Sequence, residues 1–270
     1  MNGRVSTASM VFMGVSAVLA CALPFILFAL IRKRKKADIL PFFVGFAVFA
    51  LFALLAEGLL NNLIIVQLPV GKKIQANIWL YAAYGGLMAG LFEETGRFAA
   101  FKTVLKKRLP NDSNALMYGA GHGGMEAVAV AGLGNVSNLV LSIMINSGSM
   151  AQVIEKTPPE MRAALEQTCT TLSETQPVLF LLGAAERCIA IVLHISLSVL
   201  VWFAAKKKHA FWLYPAAILL HAAVDAAAVL LSGAGFSALA TEGAFALAAA
   251  VAAAAAFIVW KRFHAEDRAE

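Results

Sequence analysis

Charge is scarce in this chain. Asp, Glu, Lys and Arg make up 14% of its 270 residues, against roughly a quarter in an ordinary soluble domain. That shortage excludes a soluble enzyme. It also excludes a disordered chain, which stays solvated by combining high charge with few apolar residues. Cysteine is equally sparse. Cys21, Cys169 and Cys188 are an odd set with no C-x-x-C spacing, so neither a disulfide scaffold nor a thiolate metal site is expected. The opening stretch MNGRVSTASM lacks the basic region, short apolar core and small-residue cleavage site of a secretory signal. The first apolar run therefore reads as a retained span.

What the chain has in abundance is apolar surface: 60% of its residues, with a mean hydropathy of +0.77. A bilayer core needs about 20 apolar residues per helix. Runs of that kind fall near 8–31, 39–60, 76–101, 114–135, 177–205, 210–231 and 238–260. The expectation is an all-α polytopic membrane protein of seven transmembrane helices forming one integral membrane domain. The fourth run continues weakly through Asn135 and Asn138 to Ile145, which leaves a long, tilted or broken helix near Gly132 and Gly134 all open. The segment 147–176 is the one substantial extramembrane piece, with a surface helix expected from Pro158 to Thr171.

The basic residues set an orientation. The first, third, fifth and seventh spans end at Arg32–Lys36, Lys102–Arg108, Lys206–Lys208 and Lys261–Arg262, and with Arg268 these positions hold fifteen of the twenty-two Lys and Arg. The other side carries Arg4, Lys72, Lys73, Lys156 and Arg162. The N-terminus is expected outside and the C-terminus in the cytoplasm. This placement, at the ends of spans, explains the net charge of +6 without a nucleic-acid partner.

Few ionisable residues fall inside the spans: Glu57, Glu93, Glu94, Arg97, Glu126, Glu186, Arg187, Asp225 and Glu242, with His122, His194 and His221. A charge at mid-bilayer costs at least about 2.5–3.5 kcal/mol on insertion scales, so such residues face a protein interior or a wet cavity. Their depths agree. Glu94 lies twelve residues before Lys106 and His194 twelve before Lys206; His221 lies twelve after His209 and His122 twelve after Pro110. At 1.5 Å per residue each is about 18 Å from its basic boundary. One Glu and three His from four helices thus share a layer. Arg97 is at i,i+4 and i,i+3 from the two glutamates, and His122–Glu126 and His221–Asp225 are i,i+4 pairs. Glu126, Asp225, Glu186 and Arg187 form a second layer one to two turns further out, while Glu57 and Glu242 lie nearer the interface. Gly85, Gly86 and Gly90 in the third span, and Gly119, Gly121, Gly123 and Gly124 in the fourth, are expected to let those two helices touch.

The ordered set EETGR (93–97), GHGGMEA (121–127), Glu186-Arg187 followed by His194, and HAAVD (221–225) resembles the YhfC-type intramembrane peptidases. These are similar to the CAAX-processing and bacteriocin-processing proteases and to the PrsW-type glutamic intramembrane proteases; the scaffold subunit Aph-1 is a distant, non-catalytic relative. The resemblance covers about residues 10 to 230, with a peptidase core at about 76–231, and implies a bacterial cytoplasmic-membrane protein. It implies that Glu93 and Glu94 activate the hydrolytic water, with His122, His194 and His221 as catalytic partners. Arg97, Glu126, Asp225, Glu186 and Arg187 would support them. Two features depart from the CAAX-type pattern: only Thr95 and Gly96 separate the glutamates from Arg97, and Asp225 stands where Asn is usual.

The expected activity is hydrolysis of a peptide bond in or near the membrane, the substrate being a membrane-embedded or membrane-proximal protein. A metal-free glutamate mechanism is the first expectation, because HExxH is absent. Zinc on His122, His194, His221 and Glu94 is the alternative. Two further classes fit the same residues: a proton-coupled transporter, and an Aph-1-like scaffold that keeps its polar core for assembly.

Overall fold

The structure is a computed structural model describing residues 3–269, with the backbone alone for Asp267, Arg268 and Ala269. The Arg268 side chain counted in the orientation signal lies outside the described residues. The described residues are mostly helical, with no strand among them. In order the helices are α1 (Thr7–Lys35), α2 (Leu40–Gln67), α3 (Pro69–Gln75), α4 (Ile78–Lys102), α5 (Ser113–Ser147), α6 (Met150–Lys156), α7 (Pro159–Glu174), α8 (Pro177–Lys206), α9 (Leu213–Gly233) and α10 (Ala238–Ala269).

Six helical segments are long and apolar enough to cross a membrane: α1, α2, α5, α8, the stretch Lys208–Gly233 that contains α9, and α10 over Ala238–Glu266. The third expected span differs. Its helix, α4, has 25 residues, about 38 Å at 1.5 Å per residue, so length is not what it lacks. Glu93, Glu94, Arg97 and Lys102 lower its apolarity instead. Asn77 starts this helix, its Oδ1 accepting from the amides of Trp79 at 3.0 Å and Leu80 at 3.3 Å.

The fourth expected span is a continuous helix to Ser147. It widens to π-helical winding over Val128–Leu133 and does not break at the glycines. Helix α2 has two such stretches, Phe49–Glu57 and Asn62–Gln67. π-winding inside an α-helix frequently marks a functional site. The expected surface helix is present as α7, preceded by Pro158 in extended geometry.

The chain divides into two compact units. One holds residues 3–23 with 126–188, the other residues 24–125 with 189–269. In the first, Met13, Val5 and Leu172 form a small apolar core, and Asn146 clasps the backbone of Val5, accepting from its amide and donating to its carbonyl, both at 2.9 Å. In the second, Phe101, Tyr118, Trp202 and Phe203 are fully buried and anchor the main core. The basic ends of its helices are tied by two carboxylates. Asp38 accepts from Asn114 Nδ2 at 2.9 Å and pairs with Arg108 at 3.1 Å. Asp112, buried, accepts from Trp202 Nε1 at 3.1 Å and Lys206 Nζ at 2.6 Å, with His264 Nδ1 at 2.8 Å.

The glycines serve other helix pairs than the one expected. A Cβ on Gly86 or Gly90 would meet the carbonyl oxygen of Ala222 at 2.3 Å or of Ile218 at 2.7 Å, so these two bring α4 against α9. Gly119 and Gly123 lie against α8, Gly121 against Phe42 and Gly124 against Pro24, while Gly85 has nothing within 4 Å. Spacing alone shows that a helix has a smooth face, not which neighbour fills it.

Candidate active site

Adjacent residues on a helix point about 100° apart, and this splits the glutamate pair of α4 between two neighbours. Glu93 faces α5, where His122 Nε2 lies 2.9 Å from its Oε2. Glu94 faces α9, where His221 Nδ1 lies 2.8 Å from its Oε1. Both carboxylates are buried, as are His122, His194 and His221. The three imidazoles form a row, with centroids 5.1 Å apart from His122 to His194 and 5.4 Å from His194 to His221.

Arg97 closes the group one turn along α4. It is fully buried and pairs through Nη1 with Glu94 Oε2 at 3.2 Å. It also donates from Nη2 to His194 Nδ1 at 3.1 Å and from Nη1 to the His194 carbonyl at 3.3 Å. A guanidinium has no lone pair to offer, so His194 Nδ1 accepts here. Asp225, one turn beyond His221 on α9, places Oδ2 3.5 Å from His221 Nε2 and has a side chain 38% exposed. It is the most exposed member of the cluster.

Glu126, Glu186 and Arg187 belong to the other unit, where they make their own ion-pair group. Arg187 Nη1 donates to Glu126 Oε1 at 2.5 Å, and Nη2 donates to Glu186 Oε1. Glu186 and Arg187 are adjacent on α8 and start out about 100° apart, yet the Arg187 side chain reaches Glu186.

Two groups near the site escaped the sequence reading. Tyr118 stacks on His122 at 5.8 Å with Arg97 6.0 Å from its ring, and its buried hydroxyl has no hydrogen-bond partner among the described residues. Its position one helical turn before His122 was the available signal. Glu57, set aside as interfacial, accepts from Asn61 Nδ2 at 3.1 Å, and Asn61 Oδ1 accepts from the Tyr84 hydroxyl at 2.7 Å.

The donor set fits a divalent metal. Glu93, His194 and His221 each offer one ligand atom, all within 4.8 Å of one another. Two imidazoles and a carboxylate, with a position left for water, form a known catalytic zinc set. With His221 as a ligand, Glu94 behind it would be the outer carboxylate that fixes the imidazole's tautomer. This group takes in Glu93, where the sequence had suggested Glu94 with three histidines. His122 stands beside it, with a buried Nδ1 lacking a hydrogen-bond partner among the described residues.

A family model described as YhfC intramembrane metalloprotease matches residues 19–245. The chain belongs to the YhfC family. It is 35% identical over 227 residues to a Bacillus subtilis (strain 168) protein named "Uncharacterized membrane protein YhfC", covering 84% of this chain and 86% of that one. No solved structure matches it. Membership of the YhfC family and the six apolar helices make it an integral membrane protein. The family's description supports a protease. It gives no support to the glutamic-peptidase and CAAX-type comparison, nor to the metal-free site first expected.

Proposed function

We propose that this YhfC-family chain is a metal-dependent intramembrane endopeptidase, cleaving a membrane-embedded or membrane-proximal protein. The observation that carries the reading is the buried Glu93–His194–His221 cluster. These three residues would hold a divalent cation such as zinc, which when bound supplies a water acidic enough to attack a peptide carbonyl near neutral pH. The rest is done by the chain's own side chains. Glu94 accepts the Nδ1 proton of His221 and so turns Nε2 toward the site. Arg97 offsets the charge of Glu94 and fixes His194. His122 rests on Glu93 through Nε2 and in this reading takes a proton from the attacking water and returns it to the leaving amine. Asp225 marks the edge where solvent enters, and Arg187 with Glu126 and Glu186 supports its own unit.

In this reading α4 is the seventh membrane span, made tolerable by pairing its charges with neighbouring helices. The N-terminus is then outside, the C-terminus cytoplasmic, and the peptidase core of the single membrane domain lies at about 76–231. Labelling of single cysteines placed in 68–77 and in 103–110, the two segments that flank α4, from one side of intact cells tests this. Labelling of both from the same side refutes it.

One observation favours the glutamate-only reading. Arg97 already occupies His194 Nδ1, so a ligand at that atom must displace it. Purified chain, assayed for metal by mass spectrometry, separates the two readings when membrane proteomes are compared between cells carrying wild type and Glu93→Gln or Glu94→Gln. Near-stoichiometric zinc, lost in His194→Ala and His221→Ala, and peptide ends that appear only with wild type are the expected results. Cleavage by metal-free protein would establish the glutamate mechanism. Absence of any wild-type-dependent end would overturn the protease.

A further inference from the structure

A second site lies in the unit that holds the Glu93 cluster, along α8 and α10. It is a groove of about 350 Å³. Helix α8 lines it with Val192, Ile195, Ser196 and Val199, an i,i+3,i+4,i+7 stripe. Helix α10 lines it with Ala253, Ala256, Phe257 and Trp260, at the same spacing. Two matched stripes would ordinarily interdigitate. Here the alanines are too small to fill the gap, and the groove remains.

Its lining excludes water as the natural occupant. The one polar group on the two stripes, besides the Trp260 ring nitrogen, is the Ser196 hydroxyl, already satisfied by the Val192 carbonyl at 2.7 Å. A buried water needs two to four polar partners, and this surface does not provide them. Charge is confined to one end. Lys35, at the last turn of α1 beside Arg32, Lys33 and Arg34, closes the groove there. Lys261 sits over the Phe257 ring at 4.6 Å, and Trp260 is of the residue type enriched at membrane interfaces. An apolar slot with Lys35 in its lining, and Lys261 over the ring of the lining residue Phe257, matches one chemistry: an acyl chain carrying an anionic headgroup.

We propose that this groove binds an anionic phospholipid, with an acyl chain between α8 and α10 and its phosphate between Lys35 and Lys261. The site is separate from the candidate active site, because Val192, Ile195, Ser196 and Val199 lie on a different face of α8 from His194.

Trp260 provides the probe. The chain is reconstituted into phosphatidylcholine vesicles containing either brominated phosphatidylglycerol or brominated phosphatidylcholine at equal mole fraction. The Trp260 signal is taken as the difference between wild type and Trp260→Phe. Stronger quenching by the anionic lipid is expected, and its preference should fall about fivefold for each of Lys35→Gln and Lys261→Gln. Ala253→Leu, which fills the slot, should weaken quenching by both lipids. Equal quenching by the two lipids would mean ordinary boundary lipid and would overturn the proposal. So would absence of quenching by either, which would mean that another protein segment covers the groove.

Discussion

Replacing Arg97 by Met tests how the buried charges balance. Arg97 and Glu94 are both fully buried and 3.2 Å apart, so truncating the cation leaves a carboxylate without its main counter-charge. Breaking a buried pair from one side typically costs about 3–5 kcal/mol. His221 Nδ1 stays 2.8 Å from the other Glu94 oxygen, which places the expected cost toward the lower end of that range. On the scale of 2–4 °C per kcal/mol for chains of this size, the midpoint should drop by roughly 6–12 °C. The second arm is the double variant Glu94→Gln with Arg97→Met. It removes the stranded charge, so it should be more stable than Arg97→Met alone even though it carries one more substitution. Thermal unfolding of purified protein in detergent, followed by intrinsic fluorescence and by size-exclusion recovery, reads both. If the double variant melts at or below the single, or if Arg97→Met shifts the midpoint by less than about 2 °C, a scale on which 1 kcal/mol would already show, the pair is not the balance described.

The helix contact at Gly86 is testable against its own neighbour. Gly86→Ala drives a Cβ to 2.3 Å from the Ala222 carbonyl and must separate α4 from α9, whereas Gly85→Ala meets nothing within 4 Å. Loss of folded yield for the first, with an unchanged or slightly raised midpoint for the second, is expected, since Ala outperforms Gly in a helix by about 0.5–1 kcal/mol. Equal behaviour of the two would refute the close approach. The Asp38 clasp makes a pH-dependent contribution. The hydrogen bond from Asn114 first, and then the Arg108 guanidinium, hold its carboxyl below the usual carboxylate range. A depressed folded value gives stability that is complete above the unfolded value of about 3.9 and disappears as pH falls through the folded one. The midpoint difference between wild type and Asp38→Asn should therefore be constant from pH 8 to 5 and close below about pH 4; a difference that grows on acidification would contradict the assignment.

Most of the helices were legible because a bilayer leaves few alternatives: a long apolar run with basic residues after it has one structure available. The exceptions have physical causes. Helix α4 falls short of the apolar measure through Glu93, Glu94 and Arg97, the very residues that make it interesting. The π-helical turns of α2 and α5 left no mark, because their composition is that of any apolar helix. Depth along each helix could be counted from Lys106, Pro110, Lys206 and His209, and the residues counted in this way do lie together in one unit. Azimuth could not. That Glu93 meets His122 and Glu94 meets His221 depends on how α5 and α9 are set around α4, and no spacing within one helix encodes that. Asp112 was missed for a related reason. In sequence it is one acid in a basic loop, and its partners Trp202, Lys206 and His264 come from residues ninety or more positions away.

The wide separation of the metal-donor candidates along the chain bears on how a protease is made safely. Glu93 belongs to α4, whereas His194 and His221 arrive on α8 and α9, the last of them 128 residues later. While the ribosome is still delivering the middle of the chain, the inserted part already holds Glu93 and His122 but lacks two of the three donors. If the proposed metal site is the cutting machinery, an unfinished protein has nothing with which to cut the other nascent chains emerging beside it. On that mechanism the order of synthesis would act as a safety catch, released only when α9 enters the membrane.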